Sequence, residues 1–174
     1  MIVFRIAGAF AALVLACASA GAQGAKLNDA QIAHIAYTAG QIDIEAAQQA
    51  LQKSKNKQVK AFADDMIRDH KAVNDKALAL VKKLNVTPED NDTSKALAKQ
   101  AAEKRAELAK LSGVAFDKAY IDNEVAYHKT VNGALANTLI PSASNAELKD
   151  LLETGLKIFQ GHQQHAEHVA AEFK

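Results

Sequence analysis

The chain predicts an all-α fold: an antiparallel four-helix bundle with one additional peripheral helix. Alanine and leucine are abundant, β-branched and aromatic residues are sparse, and tryptophan is absent. Apolar residues recur at steps of three and four over most of the chain, which places them on one face of a helix. The two prolines, Pro88 and Pro141, fall where that periodicity lapses. A length of 174 residues fits one domain with a single core, and no internal repeat or low-complexity segment suggests a second.

Residues 1–22 read as a secretory signal peptide, cleaved after Ala20 or Ala22. Arg5 supplies the positive charge ahead of an apolar run over 6–16, and Ala18, Ser19 and Ala20 supply the small residues that follow. The run is shorter than the roughly 20 apolar residues of a spanning helix. Val14-Leu15-Ala16-Cys17 loosely resembles a lipoprotein box, with Leu15 a poor fit two positions before the cysteine. The expectation is export to the periplasm, with outer-membrane attachment only if Cys17 is lipidated. Cys17 is the single cysteine. Ordinary cleavage then leaves no thiol, which excludes disulfides, thiolate catalysis and cysteine-ligated zinc.

The expected bundle domain covers 28–173. Its first helix runs over 28–53, capped by Asn28 with Gln31 three residues on. Ile32, Ile35, Ala39, Ile42, Ala46 and Ala50 form the buried stripe, and Gly40 within it marks a close helix contact. The second helix begins at Ser54 or Asn56 and buries Val59, Phe62, Met66, His70, Val73 and Leu84. Asn85 suits the left-handed residue that ends a helix, with Pro88 soon after.

A third region over 93–138 is too long for one ordinary helix and breaks at Leu111-Ser112-Gly113. Its first piece, 94–110, has a thin apolar stripe and reads as a peripheral helix lying across the bundle. Ser112 caps the second piece, whose stripe is Phe116, Tyr120, Glu124, His128, Val131 and Leu135. Pro141 punctuates the next loop. Ser144 and Glu147 form a capping-box pair that opens the last helix, with Leu148, Gly155, Phe159, His162, Ala166 and Val169 facing inward.

Lys+Arg (21) against Asp+Glu (20) leaves a net charge of +1. The charges are mixed along the helices, so no phosphate-tracking surface for nucleic acid is expected. Glycine-rich phosphate loops, nucleophile elbows and triad spacings are also missing from the sequence.

Chemistry concentrates in the inward polar residues. The second, fourth and fifth helices each carry a histidine in an apolar stripe, and Glu124 lies one turn from His128 on the same face. Glu45 lies at the edge of the first helix's stripe. If they converge, Glu45, His70, Glu124, His128 and His162 form an internal site of two carboxylates and three imidazoles. Such N/O ligation suits zinc, iron or manganese better than calcium or magnesium. The alternative is a structural hydrogen-bond network, since buried histidines are commonly satisfied by a carbonyl or carboxylate. Asp64 and Asp65 read as a solvated face, as do His165 and His168. Asp69 points elsewhere on the cylinder from His70, and Tyr120 and Tyr127 read as core aromatics with a polar tip.

Val59-Lys60-Ala61-Phe62-Ala63 with Met66-Ile67-Arg68-Asp69-His70, then Leu111-Ser112-Gly113, Phe116-Asp117, Tyr120, His128 and His162, resembles an exported bacterial family, domain of unknown function 4142. Its members are often named as outer-membrane or exported proteins. The resemblance covers about 29–173 and implies a ferritin-like four-helix fold without an established activity. Ferritin-like di-iron proteins draw a Glu from each of two helices and a Glu-x-x-His pair from each of the other two. Glu45 and Glu124 fit the first role, but Ile67 and Phe159 stand where the paired glutamates belong. The leading expectation is an exported metal-binding or envelope-stress protein without catalytic residues. A non-enzymatic interaction module with an envelope partner is the alternative, and a degenerate di-iron oxidoreductase the weaker one.

Overall fold

The computed structural model describes residues 26–173. The signal peptide over 1–22 and Cys17 lie outside the described residues. Among the described residues the chain is wholly helical apart from short connections: α1 (Asp29–Lys53), α2 (Lys57–Lys83), α3 (Asp92–Ala109), α4 (Gly113–Ala134) and α5 (Ala146–Ala171). None of them is long and apolar enough to cross a membrane.

The helix ends follow local chemistry. The Asn28 side chain accepts from the Gln31 N–H, and the Gln31 side chain accepts from the Asn28 N–H, the expected capping box. Asn56 caps α2, and Asn85 past its end has φ 51°. Ser112 precedes α4 without a side-chain capping bond, and Gly113 takes φ 55°, a conformation that favours glycine. The cap of α5 is Asn145, accepting from the Leu148 N–H, rather than Ser144. Ser144 is instead held from outside. The Asp29 carboxylate accepts from the Ser144 N–H at 2.8 Å and the Asn145 N–H at 2.9 Å, tying the starts of α1 and α5 together.

α4 does not stop at its expected end. It continues through one π turn, Leu135–Leu139, into Ile140–Ser142. The Ile140 N–H donates to the Leu135 carbonyl five residues back. Pro141 explains the widening: its ring has no N–H and would crowd the carbonyl four residues earlier in a regular helix.

Neighbouring helices of the four-helix core run antiparallel, as expected, and the parallel pairs lie on its diagonals. One end of the core gathers Ala50 of α1, Val59 of α2, Leu108 of α3, Phe116 of α4 and Val169 of α5. The other gathers Ile32, Val81, Leu135 and Leu148, with Leu97 of α3 packed against them. α2 therefore finishes at the end opposite to the one where α4 starts, and α3 is the crossover between them. It lies along α1 rather than across the bundle. Asn91 Nδ2 donates to the Gln31 carbonyl, Gln49 Nε2 to the Arg105 carbonyl and Lys53 Nζ to the Ala109 carbonyl. One long crossover makes α2 parallel to α4 and α1 parallel to α5, the connectivity of ferritin-like bundles.

Gly40 does mark a close contact. A Cβ there would lie 2.5 Å from Asn74 Oδ1, whose amide nitrogen donates to Gln41 Oε1 and the Tyr37 carbonyl. Overpacking of this kind costs about 1–3 kcal/mol. Gly40→Ala lowers the denaturation midpoint, and combining it with Asn74→Ala gives a smaller loss than the sum of the two. Additive losses in a double-mutant cycle by chemical denaturation would show that the two residues do not share a contact.

Candidate metal centre

Three imidazoles meet in the middle of the bundle. The ring centroids of His70 and His162 are 5.2 Å apart, those of His128 and His162 5.5 Å, and those of His70 and His128 5.7 Å. One ligating atom from each lies within 4.8 Å of the others, and the same holds for a second triad of Asp43, Glu124 and His128. All five side chains are buried. Each comes from the middle of a helix whose apolar stripe points inward, so the bundle closes around them.

The carboxylate of α1 is Asp43, not Glu45. Glu45 lies outside this cluster, about half exposed (48%), with its Oε2 2.7 Å from the Arg105 guanidinium of α3. Because α3 covers one flank of α1, the α1 face toward the rest of the bundle is the row Gly40, Asp43, Ala47 and Ala50, all buried. That row of small residues at steps of three and four was the available signal for Asp43.

The hydrogen bonds fix which ring atoms are free. His128 Nδ1 is 3.0 Å from the Glu124 backbone carbonyl. A carbonyl only accepts, so Nδ1 carries the proton and Nε2 keeps a lone pair. His162 Nε2 lies 3.0 Å from Asp69 Oδ2. Asp69 thus faces the α5 histidine and not open solvent. Two bonds from Arg68, at 2.7 and 2.9 Å, hold the Asp69 carboxyl below the usual carboxylate range, with His162 helping and partial burial opposing. An ionised Asp69 accepts from His162 Nε2–H and leaves Nδ1 as the lone-pair nitrogen. A carboxylate orienting an imidazole from behind is the outer-shell arrangement common to metal-ligating histidines.

Six buried atoms of the five residues have no hydrogen-bond partner: Asp43 Oδ1, Glu124 Oε2, both His70 nitrogens, His128 Nε2 and His162 Nδ1. His70 Nε2 is 3.2 Å from Asp43 Oδ2 without the alignment of a hydrogen bond. Buried polar atoms are nearly always satisfied, and a cluster of unsatisfied lone pairs from N and O donors fits a bound cation. Phe159 closes one side, its ring stacked on His70 at 4.4 Å and 11°.

Burial controls the protonation states. It pushes His70 well below the ordinary imidazole value, with His128 and His162 adding to the effect, and lowers His162 against the pull of Asp69. His128 falls to about 4. The three rings are therefore neutral near pH 7, as ligands must be. Burial also raises Asp43 well above the carboxylate range, reinforced by the charge of Glu124 and a hydrogen bond to it. Glu124 rises to about 7 through burial, opposed by its bonds to Asp43 and Asn123. The two carboxyl groups hold a proton between them near neutrality. Tyr120 and Tyr127 are kept protonated by burial and by the same two carboxyls.

The sequence profile of a domain of unknown function, DUF4142, matches residues 15–169. The chain belongs to the DUF4142 family. No curated protein and no solved structure gives a significant match. The DUF4142 description names no activity. In this DUF4142 chain the ferritin pattern departs where the sequence indicated: Phe159 is a wall of the site, and Ile67 packs at the edge of the core.

Glu124 sets a pH dependence of stability in the metal-free protein. Its pKa of about 7 in the fold exceeds the ordinary 4.5, so its contribution is fully present below about 4.5 and is lost as pH rises through about 7. The loss is shared with Asp43, because the two carboxyls titrate together as a pair. Glu124→Gln mimics the protonated acid and removes it. With chelator present, urea denaturation of Glu124→Gln gains on wild type between pH 5 and pH 8, and parallel curves would refute the assignment.

Proposed function

We propose that this protein binds one transition-metal ion, with zinc, iron or manganese as the fitting class, at the buried cluster of His70, His128, His162, Asp43 and Glu124. The observation that carries this reading is the set of unpartnered lone pairs on all five side chains. The three imidazoles supply neutral nitrogen donors. The carboxyls supply the charge that compensates a dication once their shared proton leaves. Asp69, braced by Arg68, holds the His162 ring in the ligating orientation. A bound ion at such a site supplies Lewis acidity or redox change according to its identity. The chain itself contributes orientation, charge and exclusion of water.

The fitting role is metal handling or stress protection in the cell envelope, with export directed by the leader over 1–22. A non-enzymatic role is favoured, because Ile67 and Phe159 stand where a di-iron centre would need two further glutamates. The competing reading is an interaction module for an envelope partner, whose surface would be the outer face of α3. That helix buries only Ser94 and Leu108.

Elemental analysis of tag-free protein tests the metal reading. Wild type carries about one equivalent of metal. His70→Ala, His128→Ala and Asp43→Asn carry far less, roughly tenfold or more in affinity. Glu45→Gln matches wild type because its side chain pairs with Arg105 outside the cluster. Folded wild-type protein that takes up no zinc, iron or manganese would sink the proposal and leave the envelope-partner reading.

A further inference from the structure

We propose that the bundle contains a second, separate binding site: an apolar cavity that takes a small uncharged molecule in the size range from dioxygen or xenon to a short alkyl group. The cavity has a volume of about 110 Å³, draws its walls from all five helices and is partly open to solvent, with Asn74, Thr93, Thr130 and Thr138 among its lining residues. Most of the lining, including Leu97, Leu135, Leu139, Leu152 and Ala36, offers no hydrogen bond. A water molecule needs two to four polar partners, and apolar cavities of about 150 Å³ lined by similar residues stay dry and take up xenon or benzene. The predominantly apolar lining therefore favours a compact apolar guest over an ion.

The fold builds this space for an identifiable reason. The π turn before Pro141 carries Leu135 and Leu139, both buried, and both line the cavity. Ala36 on α1 contributes only a methyl group to the lining, and Gly155 on α5 lets the Phe159 ring pack against its backbone, where a Cβ would come within 3.3 Å of that ring. The cavity also reaches the histidine cluster through one shared wall. Phe159 lines it and stacks on His70 at 4.4 Å. A guest in the cavity therefore presses on the ring that supports His70, whether or not a metal is bound.

Xenon, as the probe, separates the outcomes in the metal-free full chain. Titrated with xenon gas, wild type gives a saturable ¹²⁹Xe shift and a parallel movement of the His70 Cε1–Hε1 resonance. Ala36→Leu, which fills the cavity, loses both responses while keeping its circular dichroism. Leu152→Ala, which enlarges it, strengthens xenon uptake and keeps the proposal testable if the filled variant fails to fold. A linear, unsaturated xenon response in wild type overturns the proposal, as does an unmoved His70 resonance or saturable uptake that persists in Ala36→Leu. Metal content enters none of these readouts, so a failure here is distinct from a failure of the metal site.

Discussion

Three imidazoles and two carboxyl groups taken out of water at one level of the bundle are the constraint on which the rest of the structure depends. Stripping an ionised group of its hydration costs several kcal/mol, even after relaxation. The fold answers that cost in two ways. The histidines stay neutral, and Asp43 and Glu124 hold a proton between them. This leaves lone pairs with no partner, an arrangement that a purely structural polar network avoids. A metal ion would convert the liability into ligation by replacing the shared proton with a larger charge.

The surrounding architecture serves this centre. The α3 crossover lets α2 and α4 run parallel, and its Arg105 pairs with the half-exposed Glu45 on one flank of α1. Gly40 and Asn74 lock α1 onto α2 close to Asp43. On the opposite wall, Asn132 of α4 donates to the Phe159 carbonyl and to Gln163 Oε1, which fixes the segment of α5 bearing Phe159 and His162. Asp69 and Arg68 complete the support from the surface, where their own charges remain partly solvated. The apolar cavity lies beyond Phe159, so the polar centre and the apolar space are separated by little more than one aromatic ring.

Much of this was legible beforehand. The inward positions of His70, Glu124, His128 and His162 followed from spacing against Phe62, Met66, Phe116, Tyr120, Leu148 and Ala166, because a helix repeats its faces at steps of three and four whatever surrounds it. The Asn28 cap, the left-handed Asn85 and the tight approach at Gly40 were readable for the same reason: each is set by a few consecutive residues. Glu45 was misplaced, and the contact of Asp69 with His162 went unread, because a position at the edge of a stripe faces either neighbour or solvent depending on where the next helix packs. The extension of α4 past its expected end had a local cause, but Pro141 is compatible with either a loop or a widened turn, and packing chose the turn.

The sequence by itself determined that the chain is helical, where the helices lie and which side of each is apolar, since these are properties of single segments and their periodicity. It also determined that histidines would be buried. Only the tertiary structure decided that the three rings meet, that Asp43 joins them and Glu45 does not, and that Asp69 braces His162. Those outcomes depend on the crossover path of α3 and on the relative rotation of neighbouring helices, and a one-dimensional pattern carries no information about the angle at which two cylinders touch.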